Sequence, residues 1–164
     1  MENMEVVDRN RELVKNWGEN TAYAAKSHFK SADLRRHITL ILVVVNILFA
    51  VFSVIQTDIH PVWIRAFGVI SLLASIFILV FESSSGKDIV KKHMYYGEKY
   101  LVIHNTLRSL YSKDDISDMK IKAIEDQLNQ LTEEEKPIVS QIGKRIAKRA
   151  IEKKGEVTMW WKDS

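Results

Sequence analysis

The side chains that could carry chemistry are few in this 164-residue chain, which has no cysteine and five histidines. Without cysteine there is no disulfide, no thiolate zinc site and no cysteine nucleophile. His28, His37, His60, His93 and His104 fall at no spacing used by a metal site or a metalloprotease helix. The run Glu82-Ser-Ser-Ser-Gly-Lys-Asp88 invites comparison with a phosphate-binding loop. That pattern needs an earlier Gly where Phe81 stands and a Ser or Thr where Asp88 stands. Neither a nucleophile elbow nor a glycine-rich nucleotide loop occurs. Tyr95 and Tyr96 read as packing residues. A net charge of +3, spread along the chain, does not point to nucleic acid. The expectation is a non-enzymatic chain with no metal and no cofactor.

The remaining polar side chains matter because of where they lie. Residues 38–55 and 62–81 are two apolar segments, separated by Gln-Thr-Asp-Ile-His-Pro at 56–61. Each has about the length that crosses a ~30 Å hydrocarbon layer as a helix. Neither contains Pro, and Arg65, near one end, is the lone strong charge. A soluble helix rarely needs so long a run without a polar face, so a transmembrane hairpin is expected over two core helices of a soluble bundle. Average hydropathy hides the hairpin because both flanks are heavily charged.

Within the first span Thr39, Val43, Asn46, Ala50 and Ser53 recur at spacings of three and four, on one helix face. In the second span Gly68, Ser71, Ser75 and, further on, Glu82 do the same. Small and polar residues suit helix interfaces or water-filled paths rather than lipid-facing surface. Two readings stand. The stripes seal one hairpin or glue copies together, or some of them line a conduit, with Asn46 near mid-span as the first candidate. Two spans cannot enclose an aqueous channel, so conduction requires a homo-oligomer. Glu82 would then form a cation-attracting ring at the cytoplasmic mouth.

Lys26, Lys30, Arg35 and Arg36 crowd the entrance to the first span against Asp33, and Lys87, Lys91 and Lys92 follow the second. The connecting loop offers Asp58 and His60, with Arg65 a turn further on. The positive-inside rule then makes both termini cytoplasmic. Arg35 and Arg36 anchor the inner interface, while Arg65 snorkels toward the outer one beside Trp63. The polar start, Met-Glu-Asn-Met-Glu, is not that of a cleavable signal.

The flanks read as helices, which makes the chain an all-α membrane protein. Residues 1–37 form a cytosolic N-terminal helix, 38–81 the hairpin and 82–164 a cytosolic helical bundle. Gly18 is a candidate bend, after which no Gly or Pro occurs from Glu19 to Gln56. Ala24, His28 and Ser31 or Ala32 are small or compact residues at helical spacing, suited either to a helix contact or to a solvated stalk. A polar break follows the second span, with Asp88 capping a helix from Ile89 to about Tyr111. That helix presents Ile89, His93, Tyr96, Tyr100, Ile103, Leu107 and Leu110 or Tyr111 on one face. Ser112-Lys-Asp-Asp makes a turn, and residues 116–131 form a second amphipathic helix through Met119 or Lys120, Ala123 or Ile124, Gln127 or Leu128, and Leu131. Thr132 with Glu135 suggests a capping box opening a third helix. That helix sets Ile138, Ile142, Ile146 and Ala150 opposite Lys144, Arg145, Lys148, Arg149, Lys153 and Lys154, as a bundle helix with a solvated face or one that lies on anionic lipid. Gly155 ends it, and the apolar tail from Val157 to Trp161 must find a protein groove or the lipid interface.

This layout is similar to a known family. Trp17, Ala-Tyr-Ala-Ala at 22–25 and His28, then Arg35-Arg36-His37, two close spans, and a Tyr-rich helix ending Asn105-Thr-Leu-Arg-Ser-Leu110 together resemble the SLATT domains. These are two-transmembrane effectors of bacterial conflict systems, found beside nucleotide-second-messenger synthases, nucleotide-sensing domains or reverse transcriptases. The resemblance implies a membrane-disrupting, pore-forming effector in the bacterial inner membrane, of use in anti-phage defence by abortive infection. Its implied partners are the lipid bilayer, further copies of itself and a nucleotide-signalling or sensor protein. The alternative is a membrane-anchored adaptor whose spans only tether a partner-binding helical bundle.

Overall fold

The computed structural model describes residues 2–55, 61–82, 84–113 and 116–162, with side chains from 8–52, 62–80, 88–113 and 116–162. All regular structure among them is helical: α1 (Glu2–Ile55), α2 (Pro61–Glu82), α3 (Ser84–Lys113), α4 (Asp118–Glu133), α5 (Gln141–Glu152) and a 3-10 turn (Trp160–Lys162). The chain forms two compact units, Met1–Ser31 with Lys92–Ser164, and Ala32–Lys91. The loop expected at 56–60 and the centre of the turn at 114–115 lie outside the described residues.

α1 is longer than the sequence suggests, because Gly18 does not bend it. A 54-residue helix passes straight through that position. The missing side chain serves close approach instead. Any Cβ at Gly18 would collide with the six-membered ring of Trp160. The apolar tail thus finds a protein groove, and both Trp160 and Trp161 are buried.

The helical unit's core joins Val14 and Ala22 of α1, Tyr96, Ile103 and Leu107 of α3, Ile121, Ile124 and Leu131 of α4, Ile151 of α5 and the two tryptophans. α3 and α4 contribute residues three, four or seven apart and α1 residues eight apart, spacings that keep one face inward. Between Ala22 and Ser31, α1 is a packed helix rather than a stalk, for Ala22, Ala25, Ser27, His28 and Ser31 are buried. Polar links fix the helices in register. The Asn10 amide donates to Asp118 at 2.6 Å, and the Tyr23 hydroxyl donates to Glu152 at 3.0 Å.

Four boundary or face expectations are corrected. α3 begins at Ser84, not near Asp88, and Ser83, between it and α2, lies outside the described residues. In α4, Met119 is 79% exposed and Ile121 takes the core position. The capping box at Thr132 does not form. Thr132 lies inside α4 and its hydroxyl donates to the Leu128 carbonyl, while Ser140 caps α5 by accepting the Gly143 N–H at 3.0 Å. Pro137 biases the residue before it toward extended backbone, and Ser140 supplies the first good cap beyond it.

The fourth correction concerns the face of α5. Gly143, Ala147, Ala150 and Ile151 are buried, whereas Ile138, Ile142 and Ile146 are exposed. A Cβ at Gly143 would strike the Ser31 hydroxyl, so the backbone of α5 lies directly against a small side chain of α1. The small side of Gly143, Ala147 and Ala150 permits that approach, with Ile151 reaching the core beyond it, so Ile142 and Ile146 are left outward. As expected, Gly155 closes the segment. Its φ of +62° is a left-handed conformation open to glycine, and it returns the Glu156 N–H to the Ala150 carbonyl at 3.0 Å.

In the second unit the apolar parts of α1 and α2 are long and apolar enough to cross a membrane. None of the most apolar 18-residue window of α1 is buried inside the chain, and 6% of that of α2 is. A soluble core helix would be covered, whereas Leu40, Leu48, Leu72 and Leu79 each keep more than half their surface free. Only hydrocarbon can accept such a surface at low cost. The chain is an all-α membrane protein with two membrane-spanning helices. Phe67 of α2 seats between Phe49 and Phe52 of α1, with ring centroids 5.4 and 5.3 Å away.

Candidate functional site

The polar centre of the hairpin is built by three residues from the two stripes. Asn46 Nδ2 donates to the Ser75 hydroxyl at 2.9 Å, and the Ser71 hydroxyl donates to Asn46 Oδ1. Ser75 also donates to the Ser71 carbonyl at 2.9 Å, a turn back along α2. The spacing of four in α2 puts both serines above one another, facing the amide of α1. An amide left bare in hydrocarbon is costly, so this pairing holds the spans in register. Each Asn46 group retains further capacity, since the amide nitrogen carries two hydrogens and the oxygen two lone pairs. The site is partly buried rather than sealed.

The other expected residues distribute around it. Ala50 is exposed, and Gly68 is exposed with no atom near the space a Cβ would fill. Ser53 and Glu82 belong to α1 and α2, but their side chains are outside the described set. Trp63 is 60% exposed and Arg65 exposed, as is Arg36, whereas Arg35 is half-buried. Ala74, absent from the expected stripe, is buried, alone among the described residues of α2.

A second polar centre, in the helical unit, joins two residues 65 positions apart that no spacing rule could pair. His28 Nδ1 and His93 Nδ1 approach to 3.0 Å, both buried. One ring must donate and the other accept, so the pair is stable with one proton between the two nitrogens. Burial, then the neighbouring His93 and Lys136, lowers the pKa of His28 to about 4. Tyr96 and Tyr100 lie beside the His28 ring at 5.8 and 5.9 Å. Another buried histidine, His104, bonds through Nδ1 to the Gly18 carbonyl at 2.9 Å and accepts from the Trp160 indole at 3.3 Å. Burial lowers its pKa too. Among the described residues no cluster of three or more His, Cys, Asp or Glu could hold a metal ion.

The basic residues before the first span take a partner that the sequence does not suggest. Lys26 and Lys30 both reach the Glu156 carboxylate, at 2.5 and 3.3 Å. Their pairing holds that carboxyl below the usual range. Comparison with curated proteins and with solved structures gives no match. Residues 7–147, most of the chain, match the model of SMODS and SLOG-associating 2TM effector domain 6. An effector domain of two spans fits the unburied apolar pair of helices and is not a known enzyme family. The chain therefore belongs to the SLATT family of SMODS and SLOG-associating two-transmembrane effector domains.

Proposed function

We propose that the protein is an oligomeric effector of a bacterial anti-phage conflict system, resident in the inner membrane with both termini cytoplasmic. A trigger assembles or rearranges the spans into a leak path that depolarises the cell. The observation that carries this reading is the Asn46–Ser71–Ser75 centre, polar and only partly covered in the midst of exposed apolar spans. Because two helices cannot surround water, several copies contribute, and the unused capacity of Asn46 faces water or a neighbour in the open assembly. Ala50 and Gly68, small and exposed, are the surfaces on which copies meet, with Ser53 further along the path and Glu82 at its mouth. Arg35, Arg36, Trp63 and Arg65 anchor the spans at the interfaces. The trigger is a nucleotide-signalling or sensor protein, or its product. It acts by binding the open assembly more tightly than the closed one. The domain boundaries near 37 and 82 mark where the spans leave the membrane.

A second reading is favoured by one observation: Asn46 already has partners inside its own hairpin, as a dry seal requires. On that reading the spans tether an adaptor. The experiment is a voltage-sensitive dye in bacteria expressing wild type or Asn46→Leu at matched membrane abundance, with and without the neighbouring genes. Depolarisation by wild type that Asn46→Leu removes is expected. Depolarisation by both would take Asn46 out of the mechanism. A polarised membrane under every condition, with loss of activity on altering Ile103 or Leu107, would establish the adaptor instead.

A further inference from the structure

The exposed side of α5 has a composition that solvent alone does not explain. At 100° per residue, Ile142, Arg145, Ile146, Arg149 and Lys153 fall within about 100° of one another, on the side of the helix that adjoins the buried Gly143, Ala147, Ala150 and Ile151. Ile142 is 58% and Ile146 38% exposed, and Ile138, on the connector before the helix, is 93% exposed. Beside this stripe lies a cleft of about 410 Å³ lined by Lys30, Arg145, Arg149 and Lys154, with Ile146 and Glu156. Its one carboxylate, Glu156, is already held by Lys26 and Lys30. Arg145, Arg149 and Lys154 have no carboxylate partner among the described residues. The cleft therefore accepts an oxyanion from its own chain and keeps cations for more.

Which occupant fits is decided by charge and by tethering. A second copy would set arginine against arginine, an arrangement that like charge disfavours. Isoleucines set among arginines suit a surface that is anionic outside and apolar a few ångströms beneath, which is the boundary of a bilayer. Lys30 precedes the start of the first apolar segment, Ile38, by eight residues. That length is at most about 29 Å of chain even fully extended, so a leaflet is within reach of the tether that carries this surface.

We propose that this face of α5 docks on anionic lipid headgroups of the leaflet adjoining the helical unit. Ile142 and Ile146 enter the headgroup–acyl boundary, and Arg145, Arg149, Lys30 and Lys154 bind lipid phosphates. Docking gives the helical unit a state set by lipid charge, independently of whether the spans conduct.

The test uses the full chain, which has no native cysteine to interfere with labelling. A fluorophore is attached at Ile142→Cys, or at Met119→Cys on α4 as control, in vesicles carrying a headgroup-linked quencher. The vesicles are phosphatidylcholine alone or phosphatidylcholine with phosphatidylglycerol. The expected result is quenching at position 142 but not 119, confined to phosphatidylglycerol vesicles and released at high salt. Arg145→Gln with Arg149→Gln should shift the docked equilibrium roughly thirtyfold toward release, with helical content by circular dichroism unchanged. Equal quenching in both vesicle types, or quenching that survives the double substitution, would overturn the proposal. So would a response to inorganic phosphate in phosphatidylcholine vesicles as large as that to phosphatidylglycerol, which would assign the cleft to a soluble anion. A label unquenched in both vesicle types would leave the face to an acidic protein and also overturn it.

Discussion

At the scale of single residues, the buried His28–His93 contact makes the helical unit sensitive to acid. Folded His28 resists protonation until about pH 4, whereas an unhindered imidazole takes its proton near 6.5. Between these values the unfolded chain binds more protons, so stability rises with pH across that window. The contribution is complete above about 6.5 and is lost as pH falls toward 4, when a second proton would set two N–H groups against each other at 3.0 Å. His104, shifted in the same direction by burial, adds to the slope. Thermal unfolding in detergent, followed by tryptophan fluorescence, should give a lower Tm at pH 4.5 than at pH 7.5. His28→Gln should flatten that difference while leaving a remainder from His104. An unchanged slope would show that the pair is not coupled to folding.

At the scale of elements, the start of α5 separates the cap expected at Thr132 from the one the structure forms at Ser140. Ser140→Ala removes the acceptor for the Gly143 N–H and should cost about 1 kcal/mol in denaturant unfolding, the usual value of an N-cap. Thr132→Ala should cost much less, because that hydroxyl only returns to the Leu128 carbonyl within α4. Thr132 followed by Glu135 is legible in the sequence because the motif is local. It does not form because Leu131 is needed in the core, which carries α4 past Thr132 to Glu133. The same logic governs the face of α5. Apolar periodicity picked out Ile138, Ile142, Ile146 and Ala150, yet of these Ala150 alone is buried, beside Gly143, Ala147 and Ile151. At Gly143, where α5 meets α1, side-chain size rather than hydrophobicity set the approach.

At the scale of the whole molecule, the C-terminal tail is a structural part of the helical unit. Trp160 touches α1 at Gly18 and α3 at His104 and Tyr111. Trp160→Ala should destabilise the unit by about 3–5 kcal/mol, as for other buried aromatic truncations. Gly18→Leu should cost roughly 1–3 kcal/mol by overpacking. Combined, the two should cost less than their sum, since the space vacated by the indole accepts the new side chain. Equilibrium denaturation of the four variants in that cycle measures the coupling, and strict additivity would deny the contact.

The amino-acid sequence by itself determined the helical class, both spans and the family, because each depends on local composition and run length. Two uninterrupted apolar segments have one low-cost environment whatever the rest of the chain does. It also named the residues of the polar stripes and the helix-ending Gly155. Only the tertiary structure decided which of these meet: Asn46 with Ser71 and Ser75, His28 with His93, Trp160 with Gly18, and Lys26 and Lys30 with Glu156. Those contacts join positions 25 to 142 residues apart or depend on how closely two backbones approach. Periodicity along one helix carries no information about either.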